Sequence, residues 1–322
     1  MLDLTRRQKK MLALSLLGAA ALYLGFVLYT GFDDFVHAAG QLGVGGWGLI
    51  LACSSGNYLL RFIRWNFYLH RFNHRLPLFL HFNYYMSAFA LTTTPGKAGE
   101  TIRSLYLKSH HIPFTHSLAM FFTERFLDVV VVTLLATLSL LSLDQYGEFV
   151  LLAAIVLALM LPLLRSRLVI KTLQHLAGRI ALPSLSRFIQ HISVLLDSAR
   201  RLLQWQNLYT GLILGVAAWS IQGLAFYFIL STLGPDLGLT TAMSIYAISL
   251  LAGALSFVPG GIGTTEAVMG LLLLHFGADN VSAVAIPVIS RISTLWFAVT
   301  LGLISSSYLG ISGAAAKTVA EK

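Results

Sequence analysis

Apolar stretches of bilayer-spanning length dominate this chain, and two of the apolar blocks are broken by a Pro-Gly turn. A helix needs about 20 predominantly apolar residues to cross a hydrocarbon core. Such runs lie at roughly 11–29, 46–63, 114–142, 149–164, 208–231 and 281–310. The block 76–94 breaks at Thr94-Pro95-Gly96, and the block 241–258 breaks at Pro259-Gly260-Gly261 before a short run at 266–276. Of 322 residues, 57% are apolar and 11% charged, where a soluble chain carries about 25% charged residues. That composition excludes an ordinary soluble protein, a disordered one and a nucleic-acid binder, and the net charge of +9 reads as loop charge that sets membrane orientation. Cys53 stands alone, which excludes a disulfide framework and a cysteine-built metal site. The run 11–29 follows Arg6, Arg7, Lys9 and Lys10 and lacks a small-x-small cleavage site, so it reads as a retained helix, not a signal peptide.

Four connections carry acids and no Lys or Arg: 31–45 with Asp33 and Asp34, 143–148 with Asp144 and Glu148, 232–240 with Asp236, and 277–280 with Asp279. Basic residues fall at the N-terminus, at 61–75, at 97–108 and at 165–201. The positive-inside rule puts the basic segments and both termini in the cytoplasm of a bacterial-type inner membrane. The block 76–107 then enters from the cytoplasm and returns to it, while the block between Asp236 and Asp279 enters from outside and returns there. Non-helical backbone at membrane depth is tolerated where protein buries it or a wet cavity adjoins it. The expected fold is an all-α polytopic membrane protein, one domain over 1–322. It has about six full spans and two oppositely inserted re-entrant helical hairpins that form an inverted repeat. The linker 164–207 carries Leu185, Phe188, Ile189, Ile192, Leu195, Leu196, Ala199, Leu202 and Leu203 at helical spacing, with Arg187, His191, Arg200 and Arg201 off that stripe. It reads as an amphipathic helix on the inner leaflet, and a linker packed on the bundle ends accounts for the pattern equally.

The two hairpin tips resemble each other. One reads Pro95-Gly96-Lys97-Ala98-Gly99-Glu100, and the other Pro259-Gly260-Gly261-Ile262-Gly263-Thr264-Thr265-Glu266. Arg125 follows Glu100 by 25 residues, and Arg291 follows Glu266 by 25. Inverted repeats with interrupted helices are a transporter design, with the substrate site where the repeats meet. Glu100, Arg103, Glu124, Arg125, Asp128, Glu266 and Arg291 sit near or within apolar segments, where a charge at the bilayer centre costs roughly 2.5–3.5 kcal/mol on insertion scales. With Lys97 they make four acids and four bases, a set able to neutralise itself. A buried ion-pair network that fixes helix packing is one account of them. The other is a site for an anion: arginine presents a planar fork to phosphate oxygens, and glycine-rich turns and helix starts present N–H groups. A titrating Glu100 or Glu266 would then release an arginine and couple proton movement to transport.

Other residues carry less. Trp65, Tyr68, Tyr84, Tyr85, Trp205 and Tyr209 read as interfacial belts, and histidines 70, 74, 81, 110, 111 and 116 as cytoplasmic or near the inner interface with no metal spacing. Ser54, Ser55 and Asn57 read as helix-contact residues. No nucleophile elbow or Walker-type loop is present, and no cofactor or metal is expected.

The combination of Arg61-x-x-Arg64-Trp65, Thr94 to Arg103, Thr123-Glu124-Arg125-Phe126-Leu127-Asp128 and Phe257 to Glu266 resembles the flippase-like integral membrane family, which includes the transmembrane flippase half of lysylphosphatidylglycerol synthetases. The resemblance covers roughly residues 10–310. It implies lipid translocation of an anionic phospholipid or a polyprenyl-phosphate glycolipid. It does not imply an aminoacyl transferase, since the chain stops at Lys322 without the soluble domain of the two-domain relatives. The expected headgroup site comprises Arg103, Arg125, Arg291 and Lys97, with Arg61 and Arg64 as a first phosphate contact or as topology-setting charge. Glu100, Glu266, Glu124 and Asp128 are the gating or proton-coupling groups, and Pro95, Gly96, Gly99, Pro259, Gly260, Gly261 and Gly263 the tips. The expected partners are membrane lipids, no nucleic acid, and a second copy if such bundles dimerise. A small-anion secondary transporter, a membrane-embedded lipid-phosphate enzyme lacking any visible nucleophile, and a non-catalytic accessory subunit are the alternatives.

Overall fold

The computed structural model describes residue 25 and residues 31–137, 147–179 and 183–311. The expected span at 11–29, the loop residue Asp144 and both termini lie outside the described residues. Everything described is helical or turn, with no strand among the described residues.

The connection 31–45 is not a loop. It holds helix α1 (Phe32–Gln41), whose first turn carries Asp33 and Asp34, where carboxylates favour the positive helix start. Gly43, at φ 60, turns the chain into α2 (Gly43–Arg71) with a bend of 79° between the two. α2 runs well past the expected end at residue 63, because Arg64, Trp65 and Tyr68 are buried core positions, not loop residues.

The first hairpin is α3 (Leu78–Ser87), the 3-10 turns Ala88–Leu91 and Pro95–Ile102, and α4 (Arg103–Lys108). It is followed by α5 (Phe114–Ala136), which Pro113 starts as its N-cap. Then come α6 (Gly147–Arg165), α7 (Arg167–Arg179) and α8 (Pro183–Leu202). α9 (Trp205–Leu233) leads to the second hairpin: α10 (Leu239–Leu255), the turn Pro259–Gly261 and α11 (Thr264–His275). α12 (Asn280–Arg291), a π-turn Ile292–Trp296 and α13 (Phe297–Ile311) complete the described chain.

Two pairings position the site. α2 and α9, each 29 residues long, lie against each other. Asn57 Nδ2 donates to the Ala218 carbonyl at 2.8 Å and Gln222 Nε2 to Ser54 Oγ at 3.3 Å across that seam. The hairpins pack reciprocally: α3 and the turn Ala88–Leu91 lie on α13, while α10 lies on α5. The two tips, Pro95–Ile102 and Pro259–Gly261, touch each other. Gly302 on α13 makes the first of these contacts possible, since a Cβ there would run into the backbone of Phe89 and Ala90.

Trp65, Tyr68, Tyr84 and Tyr85 are buried in the core, not spread along a membrane interface. Trp65 Nε1 donates to His81 Nε2 at 2.9 Å, which also removes His81 from the expected interfacial histidines. Trp205 and Tyr209 are exposed and stacked. Among the described residues two helices, Trp205–Leu233 and Asn280–Ile311, are long and apolar enough to cross a bilayer, and the bent pair α1–α2 makes a third. α5 carries Glu124, Arg125 and Asp128 in mid-helix, which takes it out of any purely apolar test.

Candidate functional site

The ionisable residues of the first half converge at the foot of the first hairpin. Glu100, at the end of the tip, accepts from Arg103 Nη2 at 2.7 Å and from Thr92 Oγ1 at 2.8 Å. Arg103 Nη1 donates to Glu124 Oε2 at 3.1 Å, and its guanidinium lies 4.4 Å from the ring centroids of both Trp65 and Tyr85. Tyr85 donates to Glu124 Oε1 at 2.7 Å. Asp128, one turn further along α5, accepts from Arg64 Nη2 at 2.5 Å and from Trp219 Nε1 at 3.2 Å. These bonds explain why buried charges are tolerated here: each carboxylate has a fixed cation beside it.

Arg61 and Arg64 are therefore not topology-setting charges in a loop. Both are buried on α2, with Arg61 Nη2 3.5 Å from Asp128 Oδ2 and 3.7 Å from Glu124 Oε1. Their inclusion changes the charge balance expected from the sequence. Arg61, Arg64, Lys97, Arg103, Arg125 and Arg291 face four acids, Glu100, Glu124, Asp128 and Glu266, a surplus of two positive charges. Donors are in surplus too. Nε and Nη2 of Arg61, Nε and Nη1 of Arg64, and Nε and Nη2 of Arg125 are buried without a hydrogen-bond acceptor in the protein.

The second half builds a smaller version of the same unit. Arg291 Nε donates to Glu266 Oε1 at 2.8 Å, and its Nη2 donates to the Gly260 carbonyl. Glu266 Oε2 accepts from the Gly263 N–H at 2.7 Å, which caps α11. Gly260, Gly261 and Gly263 hold φ of 64°, 65° and 86°, a left-handed region that glycine enters freely. At the first tip the left-handed residue is Lys97, with φ 56. Pro95, Gly96 and Gly99 lie in that tip's 3-10 turn. Both Glu–Arg pairs at a spacing of 25 are in ion-pair contact, Glu100–Arg125 at 3.8 Å and Glu266–Arg291 at 2.8 Å.

One cavity of about 270 Å³ joins the halves. Lys97, Arg125, Asp128 and Arg291 form its polar wall. Val129, Val132, Leu250, Leu251, Ala254 and Leu295 form an apolar wall. Phe257 and Val258 also line it, and Phe257 is 76% exposed, so the apolar side reaches the outer surface of the bundle. Arg61, Arg64, Arg103, Glu100 and Glu124 stand behind this wall, not on it. Among the described residues Lys97 makes no ion pair, and Arg125 is the most accessible of the cluster arginines, its side chain 17% exposed against 8% for Arg291 and 5% for Arg61.

Thr92, Tyr85 and Trp219 were not read from the sequence as part of this site. Trp219 sits at the middle of the run 208–231, where an interfacial role is excluded by depth; that position was the available signal. Thr92 opens a Thr-Thr-Thr run just before Pro95.

The model of the lysylphosphatidylglycerol synthase TM region matches residues 12–302. A UPF0104 membrane protein of Methanothermobacter thermautotrophicus is 32% identical over 99 residues, 30% of each chain. Another, from Pyrococcus horikoshii, is 24% identical over 244 residues, 68% of this chain and 73% of its own. A phosphatidylglycerol lysyltransferase of Staphylococcus xylosus is 31% identical over 105 residues, 32% of this chain and 12% of its own. The chain thus spans under a third of the first of these relatives and about an eighth of the last.

Proposed function

We propose that this chain, which belongs to the family of the lysylphosphatidylglycerol synthase TM region, is a lipid transporter that moves an anionic, phosphate-bearing lipid between leaflets. The observation that carries this reading is the cavity between the two tips, with cations on one wall, aliphatic side chains on the other and Phe257 at its exposed edge. An amphiphile needs both walls. A small soluble anion has no use for an apolar side that reaches the lipid. The surplus of two positive charges supports an anionic headgroup, and the forked geometry of arginine suits phosphate oxygens.

In this reading Arg125, Arg291 and Lys97 hold the headgroup. Arg61, Arg64 and Arg103 set the potential behind them, and the acyl or prenyl chains leave past Phe257. Glu100 and Glu266 gate it. The Glu266 carboxylate, 2.8 Å from Arg291 Nε, sets where that arginine stands at the cavity wall. Glu124 and Asp128 hold the arginines in place. The two hairpins act as an inverted repeat dipping in from opposite faces, within about six spans of a single domain. The equal lengths of α2 and α9, the reciprocal hairpin packing and the paired Glu–Arg contacts support that arrangement. The distribution of loop charge supports an inner-membrane location with cytoplasmic termini. Among the described residues the cavity wall combines cations with aliphatic side chains, a lining that supports holding and passing a lipid.

The test is native mass spectrometry of gently solubilised protein with lipid extraction, followed by a leaflet-exchange assay in proteoliposomes. A phosphate-bearing lipid retained by the wild type and lost in both Arg125→Ala and Arg291→Ala supports the reading. Equal retention of bulk lipids by the wild type and folded variants overturns it.

A further inference from the structure

The cationic surface of the linker is not used by the cavity between the tips. α7 carries Arg167, Lys171, His175 and Arg179 and no acid at all. α8 ends on Arg200 and Arg201 and has one acid, Asp197. α7 and α8 pack against each other and leave a groove of about 470 Å³ between them. Arg167 and Lys171 line it from α7, and Asp197, Arg200 and Arg201 line it from α8, over the buried side chain of Ile170. Asp197 is already engaged, 3.8 Å from Arg201. Four cations therefore share one concavity with a single acid, although like charges one helical turn apart, as at Arg167 and Lys171, disfavour a helix. The folded hairpin gains nothing from that arrangement on its own.

What flanks the groove points to its occupant. Leu168 and Leu176 on α7, Val194 on α8, and Trp205 and Tyr209 at the start of α9 are exposed. Arg165 lies 4.0 Å over the Trp205 ring, an arrangement suited to the headgroup level of a bilayer. A soluble polyanion would match the cations but not the exposed apolar side chains beside them.

We propose that the α7–α8 groove is a second anion site that binds the phosphate of an anionic phospholipid headgroup from the leaflet against which this hairpin lies. Arg167, Lys171, Arg200 and Arg201 contact the phosphate, and Leu168 and Trp205 enter the acyl boundary. The site is separate from the cavity between the tips, and α8, which packs on α5, is its connection to the helix that carries Glu124, Arg125 and Asp128.

Hydrogen exchange on the full chain in nanodiscs tests this. The comparison is zwitterionic lipid alone, zwitterionic lipid with added phosphatidylglycerol, and zwitterionic lipid with inositol hexakisphosphate in solution. Phosphatidylglycerol should slow exchange over 167–179 and 197–204. In the Arg167→Gln/Lys171→Gln variant, whose side chains are exposed and whose folding is not at stake, the phosphatidylglycerol content for half-maximal protection should rise by roughly thirtyfold, at about one basic contact's worth of affinity each. Arg125→Ala should leave this protection unchanged, which separates the site from the headgroup cavity. Equal protection in zwitterionic and anionic discs, or a double variant that titrates like the wild type, overturns the proposal. Protection by the soluble polyanion equal to that by phosphatidylglycerol also overturns it, in favour of a soluble ligand.

Discussion

Arg103 and Arg125, two arginines of the same network, should respond to substitution in opposite ways. Arg103 is 1% exposed, hydrogen-bonded to Glu100 and Glu124 at 2.7 and 3.1 Å, and packed against the rings of Trp65 and Tyr85. Arg103→Gln leaves two buried carboxylates without their nearest cation, a loss of about 3–5 kcal/mol for a broken buried pair. Arg125 lies 3.2–3.8 Å from Asp128, Glu124 and Glu100, with Nε and Nη2 unbonded. After Arg125→Gln, Glu100 and Glu124 still have Arg103 and Asp128 still has Arg64 at 2.5 Å. The substitution also removes one charge from a cluster with a surplus of two. Its cost to stability should therefore stay well below that of Arg103→Gln, because no carboxylate loses its nearest cation. Its cost to an anionic lipid should be that of one charge-assisted hydrogen bond, about 1.5–3 kcal/mol or roughly 10–100-fold in retention. Fluorescence-detected melting in detergent and native mass spectrometry on the same preparations read both quantities. Arg103→Gln should lower the apparent midpoint by on the order of 10 °C, and Arg125→Gln should leave it nearly unchanged while losing the lipid. If Arg125→Gln melts like Arg103→Gln, and lipid retention simply follows the folded fraction, the cations are a packing device and the headgroup reading fails.

Glu266→Gln keeps the shape of the α11 start but weakens its bonds to Arg291 and the Gly263 N–H; leaflet exchange should fall, and an unchanged exchange rate in proteoliposomes rules out gating by this residue. Gly302→Ala forces the new Cβ against the Phe89 carbonyl carbon at 2.7 Å and should destabilise the first hairpin by about 1–3 kcal/mol, read as a lower melting midpoint, with the substitution tolerated only if α13 can back away. Asp279 caps α12 through the Ser282 N–H at 2.8 Å, and that bond holds its carboxyl below the usual range. Its contribution, about 1 kcal/mol for a helix cap, is present above the ordinary aspartate pKa of about 3.9 and is lost as pH falls through the lowered folded value. Asp279→Ala should therefore lower the melting midpoint equally at pH 7 and pH 5, and converge with the wild type only in strong acid.

The long apolar runs and the Pro-Gly breaks were legible because they follow from chain physics at short range: a bilayer-length run becomes a helix, and Pro with left-handed glycine ends one. The Glu–Arg spacing was legible because it repeats. Arg61 and Arg64 were not, since a basic residue near the end of an apolar run looks the same whether its partner is water or a carboxylate 64 residues away, as Asp128 is from Arg64. Trp65 and Tyr85 failed for a related reason. An aromatic ring at a membrane interface and one stacked beneath a buried guanidinium have the same neighbours in sequence. The segment 31–45 carried its own helix signal, two aspartates in the first turn after Gly31, although the same acids also suit a loop outside the membrane.

The reciprocal seating of the hairpins has a consequence for the order in which the protein is made. The turn Ala88–Leu91 rests on α13, which the ribosome reaches about two hundred residues later. At roughly 5–20 residues per second the first hairpin waits on the order of 10–40 s for the helix that holds it. Its own arms, 10 and 6 residues long, are too short to be stable alone. The tip that bears Lys97 and Glu100 is thus assembled last although it is translated early, and a lesion in the final helix is felt first at the opposite end of the chain.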